Sequence, residues 1–214
     1  MGKTPPVARV QNADDMLAML LQLIRQEIGD QPFCVAGQSY GGYLALGLLH
    51  ELREQIDGAL LLCPAVIADQ TNRQLPSGRC VRKESIAHKP EEAETFQDFM
   101  ELAVVATPES WRRYREEILP GLQSANADFT ARYQREGYAL SFECDFPGMT
   151  YDKPVCVITG RQDSVVGFID TWEISKRFSR ATFAVLDEAG HNLQLERTAL
   201  FDALVRDWMA RLSS

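Results

Sequence analysis

No stretch of this 214-residue chain is apolar for long enough to span a bilayer. Its first residues, Met-Gly-Lys-Thr-Pro-Pro, hold no apolar core of the kind a secretory leader needs, so no signal peptide is expected. Cysteine is sparse and odd in number: Cys34, Cys63, Cys80, Cys144 and Cys156, with no close pairs. That pattern argues against a disulfide framework and against a zinc site. Cys34, Cys63 and Cys156 fall in strand-like apolar runs, where cysteine behaves as a small buried hydrophobe. Positive charge is in deficit, 22 Lys and Arg against 30 Asp and Glu, for a formal net charge of -8. An acidic chain repels phosphate backbones, so neither nucleic acid nor a membrane surface is an expected partner. The one dense arginine group, Arg112, Arg113 and Arg115, stands beside Glu116 and Glu117 and reads as a solvated helix face. Internal repeats and low-complexity segments are lacking too. What remains is a globular composition, 45% hydrophobic and 24% charged, sized for one domain or a small core with an insertion. The expected compartment is the cytoplasm.

Periodicity divides the chain into alternating elements. Met16, Leu20, Leu23, Ile24 and Ile28 recur at helical spacing over 12–28, with Asn12 or Asp14 as cap and Gly29-Asp30 as stop. Residues 32–37 read as a buried strand and 40–52 as a helix apolar on nearly every side. A second strand over 57–66 ends at Pro64. From about 67 the pattern changes. Polar residues lead into helices expected at 91–105, from Thr107-Pro108 to Pro120-Gly121, and at 126–136 before Gly137. Strands resume at 154–159 and 181–186, with helices at 167–178 and 193–212; Leu200, Leu204, Trp208 and Leu212 share a face of the last. Alternating strands and helices imply an α/β fold with a mainly parallel sheet. The expected division is 1–66 and 151–214 as two parts of one α/β core, with 67–150 as an inserted helical lid.

The chemistry centres on Gly37-Gln38-Ser39-Tyr40-Gly41, followed by Gly42. This G-x-S-x-G sits between a strand and a helix, the context of a nucleophile elbow. In such a turn the serine is strained and lifted into a pocket. Side chains nearby would collide with it, so Gly37, Gly41 and Gly42 are expected around it. The backbone N–H of Tyr40, at the helix start, can point at a developing oxyanion. Glycine-rich strand-to-helix turns also bind phosphate, but the Gly-Lys-Ser/Thr ending of a P-loop is missing.

A serine hydroxyl needs a base, and only three histidines exist. His50 lies about three helical turns beyond Ser39, too far to serve. His88 stands in a polar stretch at the start of the insertion and reads as a surface residue. His191 follows a strand, at the sheet edge where open α/β sheets gather their chemistry. Asp163 follows the preceding strand in Gly160-Arg161-Gln162-Asp163 and can orient the imidazole. Asp187 competes, but it is only four residues before His191 and would have to fold back. The order Ser39, Asp163, His191 is that of one hydrolase fold.

On Gly37–Gly42, Gly160–Asp163 and Gly190-His191 the chain resembles the α/β-hydrolase superfamily, in the lidded group with proline iminopeptidase-like and carboxylesterase-like members. The resemblance runs from about Asn12 onward. It implies Ser39 as nucleophile, His191 as acid–base, Asp163 as orienting acid, 67–150 as lid, and no metal or organic cofactor. It also makes an aspartate-nucleophile chemistry unlike this chain. The departure is at the front. Such enzymes place about four strands before the elbow strand, and the loop after the third supplies a second oxyanion N–H. Here 38 residues precede Ser39, with no His-Gly or Gly-Gly pair before Gly41. Residues 1–5 resemble the loop that leads into the helix before the elbow strand. An internal methionine taken as the start, a truncated form and a degenerate relative are the three expectations, the first preferred.

The expected function is hydrolysis of a carboxylic ester or a small amide or peptide through an acyl-enzyme. The alternative is a non-catalytic binding protein of the same fold. The elbow strand would be an unpaired sheet edge, which favours a homo-oligomer. Phe96, Met100 and Trp111 are expected to line the lid or, more simply, to pack its core.

Overall fold

The computed structural model describes residues 7–77 and 80–212; the leading loop expected at 1–5 lies outside them. The first described helix, α1 (Ala13–Glu27), is capped by Asn12, whose side chain accepts from the Asp15 N–H at 2.9 Å while the Asp15 carboxylate accepts from the Asn12 N–H at 3.3 Å. Such a reciprocal cap satisfies two otherwise orphaned donors. Gly29, at φ +66°, ends the helix by donating to the Ile24 carbonyl. Strand β1 (Phe33–Gln38), helix α2 (Tyr40–Leu52) and strand β2 (Ile56–Leu62) follow; α2 has the bounds read from the sequence, but β1, read as buried, has no buried residue, and β2 stops at Leu62, short of the 57–66 read. Helix α2 buries Tyr43, Ala45, Leu46, Leu48 and Leu49 and packs on both strands, with α1 against it.

Between β2 and the next sheet strand lie β3 (Arg82–Lys83), α3 (Ala93–Leu102), β4 (Val105–Ala106), α4 (Pro108–Arg113), α5 (Leu119–Gln123) and α6 (Ala127–Glu136). Three expectations are corrected here. The helix read over 91–105 stops at Leu102, because Val105 and Ala106 pair with Arg82 and Lys83 in a short parallel ladder. The helix read as closing at Pro120-Gly121 does not close there. A π-helical turn, Tyr114–Ile118, carries α4 on into α5, and Pro120-Gly121 lie within that helix, where proline is tolerated in the first turn. Cys34, expected to be buried, is exposed on β1. By contrast α6 is capped by Asn126 and followed by Gly137, as read.

The segment does not pack as one body. Phe99, Ala103, Ala106, Trp111 and Tyr114 form a separate apolar cluster, bordered by Phe96 and Met100, and among the described residues it takes one core member from elsewhere, Leu195 from near the C-terminus. Its later part, with Leu140, Phe146 and Tyr151, joins the main core.

Strand β5 (Val155–Gly160), α7 (Ile169–Ser175), β6 (Ala181–Leu186), α8 (Leu193–Glu196) and α9 (Thr198–Leu212) complete the chain. The last helix is therefore two, broken at Arg197, and Leu200 is exposed instead of sharing the buried face of Trp208. The main sheet runs β1-β2-β5-β6, every neighbour parallel. Strand β5 is buried at every residue, as a central parallel strand should be. The four strands thus end at one edge, and β1 is an outer strand of the described sheet.

Candidate active site

Ser39 directly follows β1 with φ +54° and ψ −121°, a conformation that costs about 1–3 kcal/mol for a residue with a side chain. The next strand holds it there. The Ser39 N–H donates to the carbonyls of Leu62 and Cys63 at 3.0 and 3.1 Å, and its own carbonyl accepts from Ala65 and Tyr43. A Cβ on Gly37 would stand 2.2 Å from the Gly41 carbonyl oxygen, and one on Gly42 would stand 2.5 Å from Pro64 Cβ. Those two glycines are required by close approach. Gly41 is not: among the described residues nothing lies within 4 Å of its would-be Cβ. The expectation that all three glycines avoid a collision is corrected at that position.

Tyr40 opens α2, so its N–H sits at the positive end of the helix. Its ring stacks on Tyr138 at 4.1 Å, and its hydroxyl pairs with that of Tyr133 at 2.6 Å. Both partners come from the segment between β2 and β5, which therefore abuts the serine turn. Burial, then the Tyr133 pairing, raises the Tyr40 hydroxyl pKa far above the ordinary value, so it serves as a neutral packing and hydrogen-bonding group.

Asp163 and His191 meet. His191 Nδ1 lies 3.0 Å from Asp163 Oδ2, while Asp163 Oδ1 accepts from the N–H groups of Val165 and Val166 at 2.9 and 3.1 Å. The carboxylate has no exposure to solvent. Burial pushes the carboxyl up, but the His191 hydrogen bond and charge, with the two backbone N–H groups, outweigh it and hold Asp163 below the usual carboxylate range. An ionised Asp163 fixes the ring with the proton on Nδ1, leaving Nε2 free to accept. Asp187 instead accepts from Gln162 at 2.7 Å and takes no part. His50 stacks on Phe142 and His88 on Phe96, both away from this pair. Ser39 Oγ makes no hydrogen bond to a described residue; its tie to the histidine runs through its neighbour, since Gln38 Nε2 donates to the His191 carbonyl at 3.0 Å.

Gln38, Cys63 and Glu196 touch this group and carried no sequence signal of their own. Gln38 occupies the variable position of the motif. Cys63, at φ +39° just past β2, has its Sγ within 4.8 Å of the Asp163 and His191 ligand atoms. A cysteine, a carboxylate and an imidazole so close could in principle hold a soft metal. Here Nδ1 and the carboxylate already share a proton at hydrogen-bond distance, and burial, then Asp163, drives the thiol well above its ordinary pKa. A neutral thiol in a hydrogen-bonded cluster is the better description.

The family profile described as the alpha/beta hydrolase fold matches residues 3–198. The chain belongs to that family. Within the α/β-hydrolase fold its similarity to an alpha/beta superfamily hydrolase from Oenococcus oeni PSU-1 is extensive: TM-score 0.94 and 28% identity over 100% of this chain and 79% of that one. The esterase RhEst1 from Rhodococcus sp. ECU1013 shares the fold at TM-score 0.69 and 16% identity, over 98% of this chain and 76% of that one. Monoacylglycerol lipase ABHD6 of Mus musculus is 22% identical over 202 residues, 86% of this chain and 56% of the relative. The chain thus spans little more than half the length of that curated relative. No helix of the described residues is long and apolar enough to cross a membrane.

Proposed function

We propose that this α/β-hydrolase chain carries the site of a serine hydrolase acting on carboxylic esters, with small amides or peptides as a lesser alternative. The observation that carries the reading is Ser39 held at φ +54° on a strand-to-helix turn, at the sheet edge where His191 and Asp163 share a 3.0 Å hydrogen bond. In the proposed reaction Ser39 Oγ attacks the acyl carbon as His191 Nε2 takes its proton. Asp163 stabilises the imidazolium. The proton then passes to the leaving group, and water, activated by the same nitrogen, releases the acid. The Tyr40 N–H supplies one oxyanion donor. Similarity to an esterase and to a monoacylglycerol lipase favours esters over amides. The segment from 67 to 150 acts as the lid, and no metal or organic cofactor takes part. Five unpaired cysteines suit a reducing compartment such as the cytoplasm.

Fluorophosphonate labelling tests the reading, with Ser39→Ala as control. Labelling that disappears in the variant is expected; an unlabelled, folded chain overturns it. The second reading, a non-catalytic binding protein, draws on the open space beside Gly41 and the outer position of β1 among the described residues.

A further inference from the structure

Glu196 stands five residues after His191 on α8, and it takes no part in the chemistry above. Its carboxylate joins two separate pieces of the chain. Oε2 accepts the Gly190 N–H at 2.6 Å, next to the histidine, and Oε1 accepts the N–H groups of Val104 and Val105 at 2.7 and 3.1 Å, where the segment between β2 and β5 forms β4. The same junction is tight by packing. A Cβ on Gly190 would lie 2.7 Å from Val104 Cγ2, and one on Gly160 would lie 2.4 Å from the Gly190 carbonyl oxygen. The end of β5, the histidine loop and the inserted segment are therefore stacked with no room between them. Leu195 seals the join by entering the apolar cluster of Phe99, Trp111 and Tyr114. Arg113 Nη1, from α4, donates to the Gln194 carbonyl at 2.9 Å and also bonds Thr198.

We propose that Glu196 is a positioning residue that latches the segment between β2 and β5 onto the loop carrying His191, so that the seating of one fixes the alignment of the other. Its catalytic consequence rests on the reading of His191 as the base; the latch itself does not. Three donors on two oxygens suit the carboxylate. Amidation puts an N–H where one oxygen accepted and leaves at least one backbone N–H unmet. The groups around Glu196 set its charge. Burial raises its pKa, and Asp163 from the β5–α7 loop adds to the rise, against the three N–H groups. Cys63 at the end of β2 is neutral, and Arg113 is committed to Glu117 at 2.6 Å. Because the closed, buried site holds a proton more readily than a solvated one, acid favours closure, and the latch is broken by substitution and not by protonation. Local opening without global unfolding is the signature.

The test is amide exchange and imidazole proton NMR on the 214-residue chain, wild type and Glu196→Gln. In the variant, protection at Gly190, Val104 or Val105 should drop about tenfold or more at neutral pH, as for a buried N–H that has lost its acceptor. The low-field His191 Nδ1 proton should broaden or shift. Fluorophosphonate labelling should slow by up to about 10²-fold in the variant. Unchanged protection and an unchanged Nδ1 signal in a folded variant overturn the latch. If the variant does not fold, wild-type exchange in sub-denaturing urea decides alone: one shared opening of Gly190, Val104 and Val105 supports the latch, and three unrelated openings overturn it. A wild type that no probe labels would count against the hydrolase reading and leave the latch to the NMR arms.

Discussion

Asp163 accepts three hydrogen bonds with no exposure to solvent. Asparagine there keeps the shape and one acceptor oxygen but would present an amide N–H or a weaker oxygen to His191. The ring is then free to adopt the tautomer with its proton on Nε2. Asp163→Asn should lower the labelling rate of Ser39 by about 10³–10⁴-fold while the chain stays folded. The same carboxylate contributes to stability wherever it is ionised. Its folded pKa is depressed, so the contribution is present above the unfolded value of about 3.9 and is lost as pH falls through the lower folded value. Urea midpoints of wild type and Asp163→Asn should differ at neutral pH and converge as pH falls below the depressed folded value. At this scale the sequence was informative where a residue type is scarce. Three histidines left few choices for a base, and Asp163 stood at a strand end. Gln38, Cys63 and Glu196 were invisible because a glutamine, a cysteine and a glutamate have no pattern until the fold places them.

At the level of elements, the glycines around the serine are not equivalent. Gly42→Ala drives a methyl into Pro64, a misfit that should destabilise by about 1–3 kcal/mol. Gly41→Ala faces open space in the first turn of α2 and should be neutral or stabilising by up to about 1 kcal/mol. Thermal melts of the two variants give the comparison. Losing the α1 cap by Asn12→Ala should cost about 1 kcal/mol in the same assay. Elements with a strong local signal were legible within a residue or two: α1 from its cap, α6 from Asn126 and Gly137, β6 from its apolar run. The 91–105 helix was cut short by β-pairing with Arg82 and Lys83, and the 193–212 helix broke at Arg197 after Glu196 engaged distant backbone. Both are tertiary contacts overriding local periodicity. The Pro120 helix differs: a local π turn carried it past its expected stop.

For the molecule as a whole, the described sheet ends in an unpaired β1 with Cys34 and Ala36 exposed along it. An unprotected edge of this kind recruits another strand. Sedimentation of the 214-residue chain should show a mass that rises with concentration, and Ala36→Lys, which puts a charge on the edge, should suppress the rise. A constant monomer mass would remove that expectation. The parallel order was foreseeable from alternation, and the shared edge of Ser39, Asp163 and His191 from the motif and the strand ends, whereas the splitting of the β2–β5 segment between two apolar clusters was not, because it depends on Leu195 crossing over. The backbone bonds from Ser39 to Leu62, Cys63 and Ala65 carry one more consequence. The reactive turn is not a portable peptide. Grafting residues 37–42 onto a foreign scaffold would leave the serine to relax, since the groups that keep it bent belong to the neighbouring strand. The smallest transplantable piece is a two-strand unit that includes β2 and Pro64.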